Sequence, residues 1–249
     1  MAATIHGTIG GMGRRANPAF AIGVVVVPIG VLLLATTLGT VQQHTFAHVM
    51  AGVLWTGIDL FMAVVLGPVI GGMSVDARVD LLERYTPKMA FLMPMLALVT
   101  IAGGITLALR LGIFPNADPW LALLTAATLV PALLIIGWQF DAFRDRRWLG
   151  LFGITAIGSG YWLATALPDF AMTNHAIAAA LGIVVVLTVV GFGLLMPGEV
   201  RIYFQMISND PDKDVISRIG LRNAKLSGIQ GVFQLAVIVV MVYLRWGGF

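Results

Sequence analysis

The sequence predicts an all-α integral membrane protein, a helical bundle of about seven transmembrane helices. Of its 249 residues, 59% are hydrophobic and only 11% are charged, whereas soluble domains carry about 25% charged residues. Apolar stretches of about 18 residues or more recur along the chain, and each can cross a hydrocarbon core of about 30 Å as a helix. The connections between them are too short to bury a core of their own. We therefore expect a single transmembrane domain over residues 1–249.

Each span is placed where a window of about 20 residues is apolar. The first predicted helix follows Arg14 and Arg15. Its apolar run is longer than the ~7–15 residues of a signal-peptide core, so we expect this helix not to be cleaved from the mature protein. The longest polar connection is expected between Gly198 and Arg222. The seven predicted spans are residues 18–39, 46–70, 89–109, 120–140, 148–167, 173–196 and 225–244.

The distribution of basic residues predicts the orientation in the membrane. Thirteen of the 15 Lys and Arg residues fall on one side of the predicted topology, and only Arg110 and Arg245 fall on the other. Because short basic loops stay in the cytoplasm, we expect an inner (cytoplasmic) membrane protein with its N-terminus inside and its C-terminus outside. The net charge of +3 then indicates contact with anionic lipids, and we expect no nucleic-acid partner. With no cysteine, thiolate metal sites and Fe–S clusters are excluded.

The second and third spans resemble the sixth and seventh, which predicts an internal repeat. His48 precedes Pro68 by 20 residues, and His175 precedes Pro197 by 22. An acidic loop and a basic helix entry follow in each copy, and both copies run in the same direction. Parallel repeats imply a pseudo-twofold axis along the membrane normal, which would place the two histidines at one depth, facing each other. The predicted copies are residues 44–112 and 171–247.

A polar stripe on the second span predicts a cofactor site. Helical spacing puts five residues on one face: His44, His48, Gly52, Trp55 and Asp59. Gly52, one turn below His48, leaves room for a flat ring bonded to the imidazole. Ala179 at i+4 and Gly182 at i+7 leave a comparable bare strip below His175. Two facing imidazoles suit haem iron. We therefore predict haem b near the outer leaflet with His48 and His175 as metal ligands; His44 is the alternative ligand, or a copper-binding or propionate-binding neighbour.

Asp59 is the second signal on this stripe. At about 1.5 Å per residue it lies ~16 Å below His48, near the middle of the membrane core. A carboxyl group at that depth is costly and is usually functional. Two interpretations stay open at this point, a proton-handling residue beneath the cofactor and a hydrogen bond that holds two helices together.

Three segments carry a resemblance to known membrane proteins. HVMAGVLWTG, which begins at His48, resembles the opening of proteins related to the HemJ-type protoporphyrinogen oxidases and the CopD-type copper-resistance proteins. LLERYTPKMAFLMPM is similar to that family's second helix entry and contains Arg84 and Lys88. RNAKLSGIQGVFQLAVIVV looks like the entry to the family's last helix and begins with Arg222 and Asn223. The resemblance covers about half of the chain, in pieces, and these three segments carry its motifs.

The resemblance implies a four-helix core that binds haem b through His48, with Lys88 as a functional basic residue. On this basis Arg84 and Lys88 join Asp59 as candidate catalytic residues, and Arg222 joins the cofactor-binding set. The chain departs from the family in its greater length and in its second outer histidine, His175. That departure favours a bis-histidine cytochrome over the biosynthetic enzyme.

The sequence thus predicts a cytochrome b-like membrane oxidoreductase that takes part in electron transfer. We expect it to act in a homo- or hetero-oligomer in the lipid bilayer, passing electrons between a redox partner subunit and a membrane pool such as quinone. Three alternatives remain: a HemJ-like protoporphyrinogen oxidase, CopD-like copper handling by His44, His48 and the methionines, and a cofactor-free structural subunit of a membrane complex.

Overall fold

The computed structural model describes the backbone of residues 5–247 and the side chains from residue 7 onward. Within these residues the chain is all-α and contains no strand. Seven of its helical stretches are long and apolar enough to span a membrane, which confirms the predicted fold class and number of spans. The α-helices are α1 Ile5–Ala16, α2 Pro18–Thr37, α3 Val41–Phe61, α4 Gly67–Gly72, α5 Val75–Arg110, α6 Ala117–Gln139, α7 Arg146–Ala166, α8 His175–Thr188, α9 Met196–Met206 and α10 Lys213–Trp246.

Two of the spans contain a π-helical segment. The second span runs from α3 through a π-helix at Met62–Leu66 into α4, and the sixth runs from α8 through a π-helix at Val189–Leu195 into α9. Residue 62 is 14 positions after His48, and residue 189 is 14 positions after His175. π-Helical segments are rare in proteins, and those that occur are often found at functional sites. The two predicted copies therefore share a local feature that hydropathy does not reveal, while the repeat itself stays a prediction.

Several helices extend beyond the spans predicted from hydropathy. The predicted polar connection from Gly198 to Arg222 is wrong, because α9 continues to Met206 and α10 already begins at Lys213. A short helix, α1, also precedes the first span and contains Arg14 and Arg15. A hydropathy window detects only the apolar part of a helix, whereas helical hydrogen bonding continues through the polar turns at its ends.

The chain divides into two compact units. The first comprises Met1–Leu107 and Gly198–Gly228, and the second comprises Ala108–Pro197 and Ile229–Phe249. In the first unit, the start of α5 packs on α9 and on the start of α10 through a buried apolar cluster. This cluster consists of Val79, Leu82, Ile202, Met206, Ile216 and Ile219.

Arg78 closes the end of the second span within the first unit. Its side chain is only 8% exposed, and its guanidinium donates to the carbonyl oxygens of Ile70 (2.7 Å), Met73 (3.0 Å) and Gly71 (3.2 Å). It also donates to the hydroxyl of Ser217 on α10 at 2.6 Å. Helix C-termini leave carbonyls without intrahelical partners and attract positive charge. Arg78 therefore satisfies the end of α4 and links it to α10.

In the second unit, side-chain amides bond to the sixth span at its π-helical segment. Gln139 of α6 donates to the carbonyl of Gly193 at 2.6 Å, and Gln230 of α10 donates to the carbonyl of Leu187 at 3.2 Å. A Cβ at Gly193 would lie 3.4 Å from the Cα of Ala132, so α6 approaches the segment closely. Because backbone groups in a membrane have no water partners, these amides satisfy carbonyls where the helical pattern changes.

Candidate functional site

The imidazole of His48 is held in a defined orientation against α5. Its Nδ1 lies 2.8 Å from the carbonyl oxygen of Thr100, and since a carbonyl only accepts, Nδ1 carries the proton. Nε2 then carries the lone pair, which is the arrangement of a metal-ligating histidine. The ring lies against Gly104, where a Cβ would be 2.8 Å from the ring carbon Cε1. Only glycine at 104 permits this position of the half-buried ring.

His44 and Gly52 also face α5. His44 is 1% exposed, and its Nε2 lies 3.2 Å from the Thr106 hydroxyl. The hydroxyl of Thr106 uses its single hydrogen to donate to the carbonyl of Ala102. Its oxygen therefore accepts a hydrogen bond from the Nε2–H of His44. A Cβ at Gly52 would lie 3.3 Å from Cγ2 of Thr100, so α5 packs closely against α3 at this glycine. The buried Trp55 lies on the same stripe; the cofactor roles of Gly52 and Trp55 stay predictions.

His175 is the first residue of α8, in the second unit, and it is exposed. The preceding Asn174 caps the helix by accepting from the backbone N–H of Ala176 at 2.8 Å. A Cβ at Gly182 would meet no other atom within 4 Å, which agrees with the bare strip expected below His175. His48 lies in the first unit, and the pairing of the two imidazoles on one iron stays a prediction.

A polar cluster that was not predicted from the sequence lies in the first unit, around Glu199 of α9. Asn223 of α10 donates from Nδ2 to Oε1 of Glu199 at 2.8 Å. The hydroxyl of Thr86 on α5 lies near the same carboxyl, and the Arg222 guanidinium attracts it electrostatically. A Cβ at Gly198 would lie 2.7 Å from the Asn223 side chain, so this glycine allows the close approach. We call Thr86, Glu199, Arg222 and Asn223 the Glu199 cluster.

Asp59 and Tyr85 lie next to this cluster. Asp59 is fully buried at 0% exposure, and it lies three residues before the first π-helical segment. Tyr85 donates its hydroxyl to the sulfur of Met62, the first residue of that segment, at 2.6 Å. The carboxyl groups of Asp59 and Glu199 both lie within electrostatic range of the Tyr85 hydroxyl. The structure thus places the carboxyl groups of the fully buried Asp59 and the half-buried Glu199 within electrostatic range of one tyrosine.

The candidate residues taken from the family resemblance have different surroundings. Arg222 and Asn223 belong to the Glu199 cluster. Lys88 donates to the backbone carbonyl of Arg84 one turn earlier, at 3.1 Å, and the Arg84 side chain is exposed. The catalytic roles of Arg84 and Lys88 stay predictions.

Glu199 could have been found from its sequence context. It directly follows the uncharged run 181–198, and an ionisable residue that continues an apolar helix is a functional candidate. Glu199 fell instead within the polar connection expected from Gly198 to Arg222, where a glutamate is typical and indicates no function.

Within residues 5–247, no three His, Asp or Glu side chains converge as in a protein metal site. Comparison of the chain with protein-family models, with curated proteins and with solved structures gives no match. The resemblance to HemJ-type and CopD-type proteins therefore stays a hypothesis based on three short segments.

Proposed function

We propose that this multi-pass membrane protein binds and releases protons at the Glu199 cluster. The observation that carries the proposal is the position of Glu199, a carboxyl in a membrane-spanning helix with an arginine, an amide and a hydroxyl around it. Ionisable residues within membrane spans are costly, and they mark proton relays and ion pathways.

The surroundings of Glu199 have opposing effects on the charged carboxylate. Burial disfavours the charged carboxylate, whereas the Asn223 N–H and the Arg222 guanidinium favour it. Because burial opposes the charge and the two donors stabilise it, the Glu199 carboxyl can take up and release a proton when a nearby charge changes. An apolar residue at 199 would have no such capacity.

A route for protons to and from the cluster follows from its neighbours. Arg222 also lines an open cavity of about 460 Å³ formed by the starts of α5 and α10, so the cluster adjoins an open space on one side. On the other side, the Tyr85 hydroxyl lies within electrostatic range of both Glu199 and Asp59. Asp59 then serves as the next proton site towards the middle of the membrane.

Infrared spectroscopy of the reconstituted protein tests this proposal. We expect a carboxylic-acid carbonyl band that titrates with pH in the wild-type protein and is lost in Glu199→Gln, which keeps the shape and the acceptor of the side chain. Asp210→Asn is the matched control, because it removes an exposed loop carboxylate. A titrating buried-acid band that is identical in wild type and Glu199→Gln would refute the role of Glu199.

A second candidate function is electron transfer by haem b bound at His48, and the hydrogen bond from its Nδ1 to Thr100 favours it. A bound haem would supply one-electron redox chemistry. His48 would be suited to hold the haem iron, because its tautomer and ring plane are fixed. The second ligand would be His175, and proton uptake at Asp59 and Glu199 would balance the charge of an arriving electron.

Absorption spectroscopy separates this candidate from its alternatives. A Soret band with sharp reduced α and β bands, altered in both His48→Ala and His175→Ala, would support the bis-histidine cytochrome. Oxidation of added protoporphyrinogen would favour a HemJ-like enzyme, and bound copper without porphyrin would favour CopD-like handling. A protein with neither group that copurifies with other subunits would favour a structural role. Unaltered six-coordinate haem in both alanine variants would exclude the two histidines as ligands.

We further propose that the protein resides in the cytoplasmic membrane with its N-terminus inside. The support is the placement of 13 of 15 basic residues on one side of the seven spans. Its redox partner in this proposal is a neighbouring subunit or a quinone.

A further inference from the structure

The open cavity at the starts of α5 and α10 has a strongly basic lining. Four of its residues are basic and one is acidic, and the remaining two are a serine and a leucine. The lining residues are Arg78, Asp214, Ser217, Arg218, Leu221, Arg222 and Lys225. A volume of about 460 Å³ lies within the range of small-molecule sites, ~300–1,000 Å³.

The basic residues of α10 repel one another in the absence of a ligand. Arg218 and Arg222 are four residues apart, and Arg222 and Lys225 are three apart, so all three lie on one helical face. Like charges at these spacings destabilise a helix. Arg201 adds a further positive charge near Arg222. Asp214, one turn before Arg218, and Glu199 near Arg222 offset only part of this repulsion. An anion in the cavity would relieve the rest.

The buried side of the cavity offers directed hydrogen-bond donors. Arg78 is held in place by its bonds to the end of the second span, and its Nη1 donates to the Ser217 hydroxyl at 2.6 Å. Because that oxygen already accepts from Arg78, the hydroxyl hydrogen of Ser217 remains available to an acceptor in the cavity. Arg218 and Lys225 are exposed, and neither forms an ion pair within the described part of the chain.

We propose that this cavity binds a phosphate group, with Ser217 and Arg222 as inner donors and Arg218 and Lys225 at its rim. Phosphate oxygens accept several charge-assisted hydrogen bonds at once, which matches a set of arginines beside a hydroxyl donor. The phosphate comes either from an anionic lipid headgroup or from a soluble phosphate compound. Both sources present the same chemistry to these residues. The phosphate site shares Arg222 with the Glu199 cluster, but phosphate binding does not require proton transfer at Glu199.

Thermal unfolding of delipidated protein in neutral detergent, at constant ionic strength, tests the site. Inorganic pyrophosphate and phosphatidylglycerol are the probes, and chloride and phosphatidylcholine are their controls. At saturating probe we expect the melting temperature to rise by about 5–10 °C. The double variant Arg218→Gln/Lys225→Gln should lose this rise, whereas Arg144→Gln/Arg147→Gln, with the same loss of charge at exposed positions elsewhere, should keep it.

Stabilisation by phosphatidylglycerol alone would identify a lipid headgroup, and stabilisation by pyrophosphate would identify a soluble phosphate; either result supports the site. Lack of stabilisation by both probes in the wild-type protein would overturn it. So would an equal rise in wild type and in Arg218→Gln/Lys225→Gln. The single variant Lys225→Gln gives the same test if the double variant does not fold. Glu199→Gln leaves the cavity lining intact, so failure of this proposal and failure of proton handling are distinguishable.

Discussion

Gly104 determines how close the ring of His48 comes to α5. A methyl group at this position would lie 2.8 Å from ring carbon Cε1, so Gly104→Ala must displace the ring or the helix. Such overpacking costs about 1–3 kcal/mol, and we expect the melting temperature to fall by about 3–10 °C.

Gly57→Ala is the matched control for this substitution, because a Cβ at Gly57 of the same α3–α5 region would meet no atom within 4 Å. Alanine also has the higher helix propensity, so the control should be neutral or stabilising. Equal destabilisation by the two variants would contradict the packing of His48 on Gly104.

Arg78 provides a second prediction at the residue scale. Arg78→Gln cannot reach the same carbonyls of the second span and leaves several buried acceptors without donors, so we expect a loss of about 2–4 kcal/mol. Arg84→Gln, at an exposed position of the same helix, should change the stability little. Thermal unfolding in detergent measures both, and a similar small effect of the two variants would show that Arg78 does not hold the end of α4.

Individual site residues could be predicted from the sequence where one helix suffices to define them. The stripe from His44 to Asp59 follows from the helical period alone, and both end residues are indeed buried. The partner helix could not be predicted, and it is Thr100 of α5 that fills the space beside Gly52. The Glu199 cluster escaped prediction for the same reason, since it combines residues from α5, α9 and α10 that no local pattern connects.

At the scale of elements, the sixth span depends on amides from its neighbours. Replacing Gln139 and Gln230 together by leucine removes the bonds to the carbonyls of Gly193 and Leu187. Hydrogen bonds between membrane helices contribute about 0.6–1.7 kcal/mol each, so we expect the melting temperature to fall by about 3–10 °C.

Gln42→Leu serves as the control for these amides, since Gln42 is exposed at the start of α3. It makes the same chemical change without removing a bond to a π-helical segment. If the double variant melts at the temperature of this control, the amides do not support the segment.

At the scale of the whole molecule, the absence of cysteine makes the orientation directly measurable. Asn209→Cys lies in the exposed loop between α9 and α10, and Met172→Cys lies in the exposed loop between α7 and α8. Because the native chain has no cysteine, each variant has a single reactive thiol. We expect a membrane-impermeant maleimide to label Met172→Cys in intact cells and Asn209→Cys only after permeabilisation. The reverse pattern would place the N-terminus outside.

The seven spans could be predicted from the sequence because an apolar run of membrane length is rarely found in a soluble protein and indicates a transmembrane helix. Their ends could not, because polar turns such as Lys213–Arg222 at the start of α10 are helical through contacts with α5 and α9 rather than through hydropathy. The π-helical segments were also beyond prediction, since nothing in their apolar sequences distinguishes five-residue from four-residue hydrogen bonding.

The two π-helical segments lie at equal distances from His48 and His175, but the acidic residues do not recur. Counted from the histidines, the counterpart of Asp59 is Val186, and that of Glu199 is Gly72. If the copies descend from one ancestral gene, selection has preserved the histidine and the distorted helix in both descendants and has placed acidic side chains differently in each. The two copies would then share a distorted helix but differ in their acidic side chains. A chimera that carries the same copy twice should fold, yet it would lack either Asp59 or Glu199.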